Sequence, residues 1–229
     1  MMTPKLSKAF SAAWLRDVPE KIVADLAVLG EEVSFGDKAV VYAQDAEQTC
    51  LWGVVRGQVR VMVTLNELEA TLGHIHHAGA WLGESEPLLG LPGLVEMRSS
   101  GETVLVRIPF PRFRRLANVY PELWEALARL TAMNQLLAMS AANDLALRTG
   151  RHRIAASLLR LGGHRGVLQG SATTQEIKIT QQELSNLSNL APSKVSPHLK
   201  ALEAGNFIQL RYGKITIIDI EGLSSSIDT

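Results

Sequence analysis

One cysteine, Cys50, occurs in 229 residues. That scarcity excludes an intramolecular disulfide framework, a Cys-based zinc site and a Cys-ligated iron–sulfur cluster. No apolar run approaches the roughly 20 residues that a membrane helix needs. Met1-Met2-Thr3-Pro4-Lys5 opens a mixed polar stretch rather than the apolar core of a secretory signal. A cytoplasmic protein with no membrane partner is the expectation. Charge of one sign is missing too: 23 Lys+Arg balance 23 Asp+Glu. A strongly basic, histone-like binder is excluded. Walker, G-x-S-x-G, H-E-x-x-H and G-x-G-x-x-G motifs are absent, as are internal repeats, so no enzyme is expected.

What is there reads as globular: 46% hydrophobic and 20% charged residues. The length suits one large domain or two ordinary ones. The balanced charge hides an asymmetry. Residues 1–147 carry 13 Lys/Arg and 17 Asp/Glu, a net of −4; residues 148–229 carry 10 and 6, a net of +4. Two domains are expected, the second facing a polyanion.

Residues 8–29 read as short helices around Trp14, Leu15, Ile22, Leu26 and Leu29. From Val33 to Ile108 the texture is short β-branched and aromatic runs. Gly36-Asp37, Gln44-Asp45 and Arg56-Gly57 punctuate them as turns, which predicts an antiparallel roll or sandwich. At Pro121 the period changes. Leu123, Leu127, Leu130, Asn134, Leu137, Ala141 and Asp144 alternate spacings of four and three. Such a seam predicts a dimer helix with Asn134 fixing its register; the alternative is a helix packed on its own domain. Arg151–Leu161 is a further amphipathic helix, and a Gly/Ser/Thr-rich loop follows it to about Glu176.

Residues 179–219 carry the strongest functional signal. Thr180-Gln181-Gln182-Glu183 is a capping box opening a helix with Leu184 and Leu187 inward. After a break at Ser188-Asn189-Leu190, Val195, Leu199 and Leu202 mark a second helix, ended by Gly205. Two apolar runs joined by Arg211-Tyr212-Gly213-Lys214 complete a winged helix-turn-helix. Such a unit lays its second helix in the major groove of double-stranded DNA. The DNA-facing candidates are Thr180, Gln181, Ser193, Lys194, Ser196, His198 and Lys200, with Arg211 and Lys214 set for phosphate at the wing tip.

At this point the chain resembles the cyclic-AMP receptor protein/FNR (Crp/Fnr) family of bacterial transcription regulators over nearly its whole length. The resemblance rests on Phe35-Gly36-Asp37, Trp52-Gly53-Val54-Val55-Arg56-Gly57-Gln58-Val59, Gly79-Ala80-Trp81-Leu82-Gly83-Glu84, Tyr120-Pro121-Glu122, Arg153-Ile154-Ala155 and the helix-turn-helix core. It implies an α+β architecture: a β-roll effector-sensing domain over 1–119, a dimerisation helix over 120–148 and a winged helix-turn-helix over 149–229. It also implies a homodimer, promoter binding and RNA polymerase as a partner.

The departures are informative. Cyclic-nucleotide-binding members follow the Gly-Glu pair with an Arg-Ser pair that neutralises the cyclic phosphate. Counting from Gly83-Glu84 lands on Leu94-Val95 instead, and Arg98-Ser99 comes four residues late. A longer hairpin could still bring that pair back. The purine-contacting Thr-Ser pair falls on Ala138-Met139. Cyclic AMP is therefore not expected as the effector. The pocket is expected either to take an apolar ligand or to be filled by its own side chains. In the second DNA helix, Pro192 and Pro197 stand near positions that elsewhere in the family carry Arg. Pro197 predicts a shortened or kinked helix, with Ser196 capping a segment that starts at Pro197 and Pro192–Lys194 forming a separate turn.

Two further groupings stand out. His74-Ile75-His76-His77 lies on a strand, where His74 and His76 share a face. They form either a strand edge or ligands for a metal or a haem iron, and the haem reading gives an alternative function. In it, the protein is a haem, metal or small-molecule sensor whose degenerate DNA helix mediates protein contacts. Cys50 is expected as a buried apolar filler. Pro109-Phe110-Pro111-Arg112-Phe113-Arg114-Arg115 reads as the start of a short helix, Phe inward and Arg outward.

Overall fold

A computed structural model describes residues 9–64, 70–165 and 175–227. They form two compact units, one running through Gln135 and the other beginning at Leu136. Most of the Gly/Ser/Thr-rich loop before Glu176 lies outside the described residues.

In the first unit a 3-10 turn at Ala13–Leu15 precedes helix α1, Glu20–Val28. An antiparallel sheet follows: β1 Glu31–Phe35, β2 Val40–Tyr42, β3 Cys50–Val63, β4 Thr71–His77, β5 Trp81–Leu82 and β6 Glu96–Pro109. The order is β1-β6-β3-β4, with β2 on β6 and β5 on β3. Helices α2 Ser85–Leu89 and α3 Phe110–Val119 flank β6.

Sequence reading places a turn at Arg56-Gly57, yet β3 runs through it. Gly57 sits at φ +85°, where a Cβ would meet Thr103 Oγ1 at 2.6 Å and Glu102 O at 2.7 Å. The register against β6 shifts on either side of Arg56. A left-handed glycine thus makes a bulge in a continuous strand and bends the roll. Thr103 Oγ1 donates to Gln58 O (3.1 Å) and closes the bulge.

Tyr42, Trp52, Val54, Val59, Leu82, Met97 and Leu105 form one apolar cluster of the first unit. Its larger cluster sets Trp14, Trp81, Phe110 and Phe113 against the start of α4, Glu122–Leu145. Trp14 and Trp81 meet edge to face at 5.3 Å. Each fully buried large side chain contributes about 1.5–3 kcal/mol.

The second unit holds α5 Gly150–Leu161, β7 Glu176–Ile177, α6 Gln181–Leu187, α7 Pro192–Ala204, β8 Ile208–Arg211, β9 Lys214–Ile217 and α8 Ile220–Ser225. Ile154, Leu158, Leu159 and Leu161 are buried as their spacing predicts, together with Leu184, Val195, Leu199 and Leu202. The strands pair β7-β9-β8, so the wing has a third, short strand that its sequence does not announce.

Candidate nucleic-acid interface and effector region

Helix α6 starts where the capping box predicts. Thr180 Oγ1 accepts from Glu183 N–H (3.2 Å), and Glu183 Oε2 accepts from Thr180 N–H (2.8 Å). Two orphan donors are satisfied reciprocally. Thr180 and Gln181 stand exposed at this start. Asn189, at φ +47°, makes the sharp turn to α7.

Helix α7 is not shortened as expected. It is one element from Pro192 to Ala204 with Pro197 inside it, and Ala191, not Ser196, is its N-cap. Pro197 removes one hydrogen bond, to the Ser193 carbonyl. Ser193 and Pro197 both lie on the exposed face, so water can satisfy that carbonyl. Val195, Leu199 and Leu202 are buried on the opposite face and hold the helix in place.

The face left open carries Ser193, Lys194, Pro197, Lys200 and Ala204. Ser196 is half-buried. His198 turns away from this face: a Cβ on Gly150 would come within 2.7 Å of its Nε2. His198 therefore packs on the start of α5, and a side chain at Gly150 would have to displace its ring. The wing tip divides its two cations. Arg211 is exposed, whereas Lys214 is half-buried and ion-paired with Glu176. Between them Tyr212 is fully exposed and Gly213 adopts φ +66°.

In the β-roll, Gly83 and Glu84 are buried. Asn134 Nδ2 donates to Glu84 Oε1 (2.9 Å) and to Trp81 O (3.2 Å). Burial raises the Glu84 carboxyl above its ordinary value, and the Asn134 hydrogen bond partly offsets this. Leu94 is 47% exposed, and Val95 packs at the edge of the inner apolar cluster. Arg98 lies exposed on β6, ion-paired with Glu96. Ser99 is fully buried: its Oγ donates to Gly36 O and accepts from Ala39 N–H (2.9 Å). These bonds tie the loop between β1 and β2 to β6. Ala138 and Met139 are exposed on α4.

Residues 32–120 match the cyclic nucleotide-binding domain, and residues 152–226 match the Crp-like helix-turn-helix domain. The cAMP-activated global transcriptional regulator CRP of Salmonella typhimurium is 26% identical over 189 residues, 80% of this chain and 87% of the relative. The transcriptional regulatory protein btr of Bordetella pertussis is 25% identical over 199 residues, 82% of this chain and 77% of the relative. Among solved structures, FixK2 from Bradyrhizobium japonicum superposes with a TM-score of 0.70 at 18% identity, covering 86% of this chain and 96% of that one. The c-di-GMP responsive regulator CLP of Xanthomonas campestris gives 0.67 at 17%, covering 87% and 99%. The chain belongs to the Crp/Fnr family.

Within this Crp/Fnr fold the expected leucine seam needs correction. Leu123, Leu127 and Leu130 are at most 2% exposed and belong to the chain's own core cluster. Asn134 is engaged with Glu84 and Trp81 of its own chain. Asp144 is 1% exposed; it accepts from Arg160 Nε and Arg165 Nε, each at 2.9 Å. The seam is thus mainly the inward face of the helix. Leu137 and Ala141 are half-buried. The face that stays open carries Ala128, Ala132, Gln135, Met139 and Ala142, again at spacings of four and three.

The sequence pattern places α5 within one residue of its observed start but does not single out the two arginines there. Arg151 and Arg153 stand in its first turn, each with a buried Nε that has no hydrogen-bond partner, and the Arg151 guanidinium lies 5.9 Å from the Phe207 ring centre. Cations in a first helical turn oppose the helix dipole, and that oddity was the available signal. On β4 the His74 and His76 rings meet at 4.9 Å. Among the described residues no group of three metal-ligating side chains forms. Desolvation of the half-buried ring, and then the neighbouring His77, lower His76 to about 4. Cys50 is half-buried rather than fully so.

Proposed function

We propose that the chain is a homodimeric transcription regulator that binds double-stranded DNA through the open face of α7, and that cyclic AMP is not its effector. One observation carries the DNA reading. A helix held by three buried apolar residues presents Ser193, Lys194 and Lys200 outward, beside an exposed wing tip with Arg211. Lysines there pair with phosphate or guanine, and serines reach base edges. The net charge of +4 over residues 148–229 agrees. RNA polymerase is the partner this role requires.

Gel shifts against genomic fragments at two salt concentrations test the reading. Wild type shifts a subset of fragments, more weakly at higher salt. The double variant Lys194→Glu/Lys200→Glu loses binding roughly tenfold or more at low salt. Equal shifts by the two proteins would overturn the assignment of α7.

The effector reading is supported by the environments of Leu94, Arg98 and Ser99. Leu94 has no group to pair with a phosphate. Arg98 already has Glu96, and Ser99 already has two backbone partners. Calorimetric titration with cyclic AMP and cyclic GMP is expected to give no heat; micromolar binding would refute the reading.

Dimerisation is assigned to the open face of α4 rather than to the leucine seam. Small residues at Ala128, Ala132 and Ala142 let a second helix approach closely, with Met139 filling between them. Ala132→Asp is expected to shift sedimentation toward monomer. An unchanged dimer would move the interface elsewhere.

A further inference from the structure

The first unit contains a cavity of about 550 Å³, between the loop before β3, helix α2 and the start of α3. That size suits a small organic molecule. None of Gly83, Leu94, Val95, Arg98 and Ser99 lines it, so it is separate from the positions that match the cyclic-nucleotide site of the family.

Three kinds of group meet in this cavity. The first is a buried carboxylate. Glu86 lines the wall and is 4% exposed. It accepts one long hydrogen bond, from Leu94 N–H at 3.4 Å, and among the described residues no Lys, Arg or His pairs with it. A buried carboxylate without a cation is costly, and buried charges are normally paired. The second is a buried amide. Gln48 is 6% exposed and its Oε1 accepts from Cys50 N–H (3.2 Å). Its Nε2 is buried beside the Tyr42 hydroxyl and against Gly83, so the amide braces the wall rather than offering a donor to the cavity. The third is an apolar wall with a cation at its edge: Leu91, Phe110 and Pro111, with the Arg114 guanidinium 5.5 Å from the Phe110 ring centre. Asp45 and Glu47, exposed at the same cavity, add negative field.

We infer that this cavity binds a small primary amine that carries an apolar body and an oxygen acceptor, the pattern of an apolar amino acid. The ammonium group pairs with Glu86 and supplies the missing counter-charge. Where the oxygen of the ligand is a carboxylate, it accepts from the exposed Arg114. The apolar body lies against Leu91 and Phe110. The site is independent of the DNA-binding reading: it concerns a ligand of the β-roll alone.

Calorimetry on the full-length protein tests it with three probes: L-phenylalanine, phenethylamine and 3-phenylpropionate. The first two bind, the zwitterion more tightly, and the carboxylate without an amine does not. Glu86→Gln, which keeps the shape and removes the charge, weakens both amines by roughly tenfold or more. Leu91 is 47% exposed, so Leu91→Trp narrows the mouth with little risk to folding and also abolishes binding. Absence of binding by both amines, binding of 3-phenylpropionate alone, or affinities unchanged in Glu86→Gln would each overturn the assignment.

Discussion

Asp144 shows how far a single residue's role depends on what surrounds it. In the sequence it falls on an apolar seam; in the fold it is buried between two arginines, one of which, Arg160, is 2% exposed. Removing one partner of a buried pair strands the other charge. Asp144→Ala is therefore expected to lower unfolding free energy by about 3–5 kcal/mol in urea melts, and Arg165→Ala, at a partly exposed site, by about 1 kcal/mol. His76 makes a second prediction. Its native value near 4 lies below the value of about 6.5 in an unfolded chain. The unfolded state takes up the proton first, so stability is fully present above pH ~6.5 and falls as pH drops toward 4. His76→Gln should flatten that part of a stability–pH profile; an unchanged slope would place the acid sensitivity elsewhere. Neither environment was legible in the sequence, because burial of a charged or titratable group depends on elements far away along the chain. Thr180 and Glu183 were legible, since a capping box is closed by residues three apart.

Elements were read well where their signal is local. The start of α6, the inward face of α5 and the two main wing strands follow from caps, periods and β-branched runs. Two breaks were over-read. Gly57 and Pro197 are both punctuation in a one-dimensional reading, yet each sits inside a continuous element. The reason is shared: the surrounding element tolerates one missing ladder bond when packing holds both flanks. Pro197→Ala restores a donor to the Ser193 carbonyl and should raise stability by about 1–3 kcal/mol in thermal unfolding. Gly57→Val places a side chain against Thr103 and Glu102 at a positive φ, and is expected to cost about 2 kcal/mol or more.

At the scale of the whole molecule, Leu123, Leu127 and Leu130 of α4 serve the fold of their own chain. Leu127→Ala is expected to lower unfolding free energy by about 2–5 kcal/mol. Its sedimentation at fixed concentration should stay like wild type, whereas Ala132→Asp does the reverse. The sequence by itself determined the α+β class, the β-roll followed by a long helix and a winged helix-turn-helix, and the family to which they belong. Those properties live in local periods, caps and turn residues, which a linear string records. Only the tertiary structure decided which face of α4 is core, that His198 and Lys214 are engaged within the second unit, and that Glu86 and Gln48 share a cavity wall. Each of these depends on which distant segments meet, and a heptad pattern has the same spacing whether its apolar stripe faces its own sheet or another chain.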